Sequence, residues 1–115
     1  MPRSSRIHKA GEIRSLLRRG ERRRTPTLDV FFMSSPVSRS RLGLIVPKHR
    51  HTIVKRNRLK RRMREVGRTE VMPRLMKAGV ELDVLVRARR EAYEVNFEAL
   101  SVELVQMAEE LCSRG

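Results

Sequence analysis

Apolar residues recur along this chain at two kinds of spacing, and each marks an element. Between Lys9 and Arg19, the positions Ala10, Ile13, Leu16 and Leu17 fall on one face of a short helix. Gly20 follows as a stop, because glycine accepts the left-handed backbone past a helix end. The run from Leu28 to Met33 is rich in β-formers and bounded by Thr25-Pro26 and Ser34-Ser35-Pro36, which predicts a strand. Residues 34–40 read as a loop. Arg41 to Val46 is largely apolar, predicts a strand buried on both faces, and ends at Pro47. From about Thr52 to Val66 the spacing is helical again. Leu59, Met63 and Val66 form a narrow seam, within about 60° of arc at roughly 100° per residue. Gly67, Thr69 and Pro73 leave open whether residues 52–78 form one kinked helix or two, with Thr69 as a candidate cap. Leu82 to Ala88 alternates in part and predicts a third strand. Asn96 is an N-cap candidate for a helix carrying Phe97, Leu100, Leu104, Met107, Ala108 and Leu111. Residues 20–27 have room for one more short strand. The order predicts an α/β sandwich, a small sheet of three to four strands covered by helices.

The length, 115 residues, gives one domain over 9–115, with residues 1–8 expected as a loose basic arm. No internal repeat is present. Without Trp, and with one Tyr, the core must be mainly aliphatic, with Phe31, Phe32 and Phe97 as its largest members. Charge changes the picture most. Net charge is +14, and residues 1–66 hold 20 Lys/Arg against 4 Asp/Glu, whereas residues 67–115 hold 7 against 9. Such asymmetry is the electrostatic footprint of a nucleic-acid binder. A membrane-surface helix needs large apolar residues opposite its charge, and no such helix is evident. No apolar run reaches the length of a membrane span. A single cysteine, Cys112, excludes an internal disulfide framework. Together with the lack of a secretory signal pattern at the N-terminus, this places the protein in the cytosol.

The basic charge concentrates in Lys55-Arg56-Asn57-Arg58-Leu59-Lys60-Arg61-Arg62-Met63-Arg64, where seven of ten residues are cations and none is acidic. Burying several unpaired cations is prohibitively costly, so they must face water or a polyanion. Adjacent Phe31 and Phe32 point to opposite sheet faces, so one enters the core and the other emerges on the far side. If exposed there, it can stack an unpaired base; if covered by a helix, it is a second core residue. His49 and His51 flank Arg50 in a cationic loop, which favours phosphate contact or solvation over metal binding. Asp83 reads as a structural ion pair or turn contact. No catalytic triad, zinc motif or glycine-rich phosphate loop occurs, and Glu12, Glu21, Asp29 and Glu65 are scattered. Any reaction would then belong to a partner.

Two neighbouring segments resemble a known family. Arg41-Leu42-Gly43-Leu44-Ile45-Val46-Pro47-Lys48, followed by Val54 to Glu65 with its Arg56-Asn57-Arg58 triplet, resembles the bacterial ribonuclease P protein component. Ile13, Leu17 and Gly20, the stretch from Asp83 to Arg89, and the C-terminal helix agree, so the likeness runs from about Lys9 to Leu111. The resemblance implies a two-layer α+β sandwich of the ribosomal protein S5 domain 2-like type, with a left-handed βαβ crossover around the basic helix, against the general rule of hand. It implies a protein subunit of ribonuclease P, one per RNA. The RNA subunit would hold the magnesium ions and cleave, and the protein would contribute no catalytic residue and no metal site. The protein's partners would be that catalytic RNA and the 5′ leader of precursor tRNA. By position, Arg56, Asn57, Arg58, Lys60, Arg61 and Arg64 would contact the catalytic RNA, with Arg56 and Asn57 also near the leader. Ile13, Leu17 and Phe31, with Lys48 at the rim, would line the leader cleft. The family often has aromatics at the positions of Ile13 and Leu17, so Phe31 would carry most of the stacking. Pro47, His49 and His51 replace the usual Ser, Lys and Gly. Three rivals remain open: a structural or ribosomal RNA-binding protein, a DNA-binding regulator, and a small nuclease acting alone.

Overall fold

The computed structural model describes residues 5–114. Its elements, in chain order, are α1 (Ala10–Arg19), β1 (Glu21–Arg24), β2 (Leu28–Ser34), β3 (Arg41–Ile45), α2 (Ile53–Val66), α3 (Met72–Ala78), β4 (Leu82–Ala88) and α4 (Phe97–Arg114). The strands form one sheet in the order β1-β2-β4-β3. β2 is antiparallel to β1 and β4, whereas β3 and β4 are parallel neighbours joined by the α2–α3 crossover. This is the mixed α/β sandwich that the element pattern predicts, with residues 20–27 supplying the fourth strand.

Strand periodicity divides the sheet's residues between two cores. Leu28, Val30, Phe32, Leu42, Val84, Val86 and Ala88 face α2, α3 and α4 and form the larger core with Leu59, Met63, Leu75, Leu100 and Leu104. On the opposite face Phe31 and Leu85 pack under α1 with Leu16 and Ile7. The two phenylalanines therefore diverge as the pleat requires, yet both are buried. A short α1 suffices for the second core because only Leu16 of that helix is fully covered.

Several local expectations are corrected by tertiary contacts. Residues 1–4 of the expected loose arm lie outside the described residues, but Arg6 and Ile7 are pinned. Arg6 bridges Leu42, the Ile7 N–H donates to the Leu42 carbonyl (3.0 Å), and the Ile7 side chain is buried. β3 is an edge strand, and an unpaired edge is a template for any nearby extended segment. Gly20 ends α1 with extended backbone (φ −67°, ψ 153°), not a left-handed one. Glycine is needed there for space, since a Cβ would stand 2.6 Å from the Leu16 carbonyl oxygen. The left-handed stop is Gly79, after α3.

Residues 53–78 form one helical run interrupted by a π-helical turn at Gly67–Val71. Gly67 lies so close to β3 that a Cβ would sit 2.6 Å from Leu42 Cδ2. Thr69 does not cap the next turn; its hydroxyl donates back to the Glu65 carbonyl (2.8 Å), a bond that helical backbone offers directly. Asn96 does cap α4, its Oδ1 accepting from the Ala99 N–H at 2.8 Å. Phe97, expected in the core, is 42% exposed because α4's first turn, through Ala99, stays outside the packing that begins at Leu100.

Candidate nucleic-acid interface

α2 starts where the Thr52 side chain accepts from the Lys55 N–H (3.2 Å) and is held to the sheet by Leu59, Met63 and Val66. Burying each of these contributes about 1.5–3 kcal/mol relative to exposure. At about 100° per residue, the polar positions from Lys55 to Arg64 fall into three cationic sectors. Arg56, Lys60 and Arg64 flank the seam on the β3 side. Lys55, Arg58 and Arg62 flank it on the α4 side. Asn57 and Arg61 point farthest from the sheet. Among the described residues, none of these seven cations is in an ion pair; the only carboxylate of α2, Glu65, pairs with Arg68 (2.8 Å).

The six residues assigned to RNA contact differ in how freely they are presented. Asn57, Arg58, Arg61 and Arg64 are exposed. Arg56 is half-buried, its Nε donating to the Val46 carbonyl (2.7 Å), which fixes the start of the helix against the end of β3. Lys60 is half-buried in a groove of about 240 Å³ lined also by Arg6, His8, Ile13, Leu42 and Arg64. Burial, and then the neighbouring Arg56 and Arg64, push its ammonium below the ordinary lysine value. Like charges four residues apart destabilise a helix by roughly 0.2–0.5 kcal/mol per pair, so this row opposes folding until an anion neutralises it. Lys55 and Arg62, outside the six assigned residues, complete the α4-side sector. Their spacing of three and four about Arg58 was the available signal.

The sheet face beneath α1 carries the second candidate surface. Strand register sets Arg22, Phe31, Leu85 and Gly43 in one row and Arg24, Asp29, Arg87 and Ile45 in the next. The Arg22 and Arg87 guanidiniums lie over the Phe31 ring, 5.6 and 5.1 Å from its centroid, within cation–π range. Ile13 and Leu17 are half-buried against the small core that contains Phe31, so three of the four assigned leader residues do come together. Phe31 itself is only 4% exposed, because α1 and the two arginines cover it; a base reaches the ring only by displacing a guanidinium. Lys48 is exposed in the loop beyond β3. The second row opens into a depression of about 530 Å³ lined by Arg24, Asp29, His49, Arg87 and Arg90.

Asp29 organises that row, accepting from Arg87 (3.3 Å) and Arg89 (3.1 Å) and pairing with Arg22 (3.3 Å). Burial alone would raise its carboxyl, but these hydrogen bonds outweigh it and hold the group below its ordinary value. A depressed carboxylate gives stability that is present above the unfolded pKa, about 4, and is lost as pH falls through the folded value. Unfolding free energy should therefore decline below about pH 4 in the wild type. Asp29→Asn should be less stable at neutral pH and show a shallower decline, as measured by urea unfolding across the acid range.

The two loop histidines are engaged internally, which the expectation of phosphate contact or solvation did not foresee. His49 Nε2 lies 3.2 Å from the Ala88 carbonyl, and His51 Nδ1 lies 3.2 Å from that of Lys48. Asp83 meets its expectation as an ion-pair partner: Arg41 donates to both its oxygens (2.9 and 2.7 Å) and reaches Glu12 of α1 (3.0 Å). Among the described residues, no three His, Cys, Asp or Glu side chains group as a metal-ligand set, and no helix is long and apolar enough to cross a membrane.

The fold that carries this cationic helix has counterparts among known proteins. The family model for ribonuclease P matches residues 1–112. The chain belongs to the ribonuclease P protein family. The fold agrees with solved members of that family. The RNase P protein of Staphylococcus aureus superposes with a TM-score of 0.75 at 21% identity, over 93% of this chain and 94% of that one. The RNase P protein of Thermotoga maritima gives a TM-score of 0.75 at 23% identity, over 91% of this chain and 96% of that one. No curated protein sequence matches significantly. At these identities the structures establish the fold, and the family model establishes membership.

Proposed function

We propose that this chain is the protein subunit of a cytosolic ribonuclease P, one copy per catalytic RNA, acting in removal of the 5′ leader from precursor tRNA. The observation that carries this reading is the set of seven cations on α2 with no carboxylate partner among the described residues. Such a set is costly to assemble unless a polyanion completes it. Phosphates entering the three sectors release counterions and relieve the crowding at Lys60. Arg56, Asn57, Arg58, Lys60, Arg61 and Arg64 would make these contacts with the catalytic RNA. The magnesium ions and the cleavage chemistry belong to the RNA partner, and the protein supplies affinity and alignment.

Ile13, Leu17 and Phe31 form the apolar wall of the leader cleft in this reading, with Lys48 at its rim. The leader is single-stranded, so its bases have free faces, and its backbone is drawn by the cations of the adjoining depression. Because Arg22 and Arg87 cap Phe31, the first contacts to a base are guanidinium planes, with the ring beneath them.

The test is a leader-cleavage assay with the cognate catalytic RNA at low magnesium. The proposal expects the protein to accelerate cleavage and to lower the magnesium requirement. Tight binding to that RNA without acceleration would instead assign a structural RNA-binding role.

A further inference from the structure

On the α4 side of α2, two residues from distant parts of the chain meet. His51, in the loop before α2, and Tyr93, after β4, stack with ring centroids 3.9 Å apart and planes 2° from parallel. The pair is held in place from several sides. The Tyr93 hydroxyl, kept protonated by burial, donates to the Pro47 carbonyl at 2.5 Å. His51 Nδ1 and His51 N–H both turn to the Lys48 carbonyl. His49 and Arg50 hold left-handed backbone (φ 47° and 69°), a costly conformation for residues other than glycine, Asn or Asp, and it persists because these bonds fix the loop.

Beside the stack is a cleft of about 140 Å³, lined by both rings and by Lys55, Arg58, Leu59, Arg62 and Ala92. No carboxylate lines it. Arg58 and Arg62 also border the adjoining groove, which holds the exposed Phe97 and the Glu65 carboxylate. Rigid aromatic rings beside unpaired cations suit a ligand with a planar apolar face and an anionic tail. Duplex RNA hides its base faces, so the matching ligand is unpaired.

We propose that the His51–Tyr93 stack is a docking platform for one unpaired RNA nucleotide, its base against the rings and its phosphate among Lys55, Arg58 and Arg62. This rests on the reading of α2 as an RNA-binding helix, and it adds a base-contacting site beyond the residues assigned to the leader cleft, tied to the rim of that cleft through the Lys48 carbonyl. The nucleotide comes either from the catalytic RNA or from the precursor's leader, and both present the same chemistry.

The experiment uses the full chain and a short single-stranded oligoribonucleotide carrying 2-aminopurine, followed by the catalytic RNA. His51→Ala should weaken oligonucleotide binding about fivefold or more, the lower end of one base–aromatic stack, and abolish quenching of the 2-aminopurine. His51→Phe, which keeps a ring, should restore both. His51→Gln keeps the polar contact without a ring and should behave as alanine does, which covers a folding defect in His51→Ala. Weakened catalytic-RNA binding in the ring-less variants assigns the nucleotide to that RNA. Loss confined to the holoenzyme's preference for leader-bearing over mature tRNA assigns it to the leader. Unchanged quenching and affinity in the ring-less variants overturn the platform. Arg61→Ala, outside this cleft, separates the two readings: if it still weakens catalytic-RNA binding, only the platform falls, and if it does not, the RNA-binding reading of α2 falls as well.

Discussion

Replacing Arg58, Arg61 and Arg64 together with alanine is expected to weaken catalytic-RNA binding about 100-fold and to flatten its salt dependence. The three side chains sample all three cationic sectors of α2, all are exposed, and among the described residues none pairs with a carboxylate. Each lost phosphate contact costs about 1 kcal/mol or more, and every 1.4 kcal/mol is tenfold in affinity. The slope of log K against log salt should fall by about one for each contact removed, hence by about two to three. Stability should hold or rise, because the substitutions relieve repulsion without opening the seam. That separates lost binding from lost folding, and equilibrium binding between 50 and 200 mM salt (about the range over which such slopes are read) checks it. Parallel salt slopes for variant and wild type would remove these residues from the interface.

The second large effect concerns stability. Asp83→Ala is expected to cost about 3 kcal/mol, the lower end for stripping one partner from a buried ion pair, because Glu12 stays beside Arg41. Arg41 and Asp83 face each other across β3 and β4, with side chains 9% and 6% exposed, and the pair is bidentate. Bonds to Asp83 and Glu12 hold the arginine above its already high value, and its intrinsic basicity alone keeps it charged once Asp83 is removed. A loss of this size is a large share of the 5–15 kcal/mol of a typical domain and lowers the thermal midpoint by roughly 10 °C or more. Arg41→Met combined with Asp83→Leu should recover most of the loss, because both charges then leave the interior. Urea unfolding of the single and double variants tests this. A single variant within 1 kcal/mol of wild type would contradict it. The triad also ties α1 to the sheet through Glu12, so Asp83→Ala should loosen the wall that carries Ile13 and Leu17.

The sequence is most readable where one physical term dominates. Seven cations in ten residues cannot be buried, so α2 had to run along the surface, and Leu59, Met63 and Val66 left it a single seam. Phe31 and Phe32 had to diverge because the pleat allows nothing else. An acid near the start of an apolar strand marked Asp83 as an ion-pair or turn residue, but only the β3–β4 register named Arg41 as its partner. Other features depend on contacts that no local pattern encodes. Ile7 is one apolar residue amid polar ones, and it is buried only because β3 offers an open edge. Gly20 is required by the closeness of the Leu16 carbonyl, not by its own dihedral angles, and Gly67 lets the Leu42 side chain approach the helix. Phe97 has the right angular position for the core, but the first turn of α4 lies outside the packing. The His51–Tyr93 stack joins residues 42 positions apart through a loop with two left-handed residues, so neither ring announced the other. The cover that Arg22 and Arg87 give Phe31 likewise depends on strand register.

The most direct test of the cationic surface is hydroxyl-radical footprinting of the protein alone and bound to its catalytic RNA. The outward-facing residues of α2 between Ile53 and Arg64 should lose reactivity on binding, while Glu109 and Glu110 on the exposed side of α4 keep theirs. Protection on α4 with none on α2 would contradict the account.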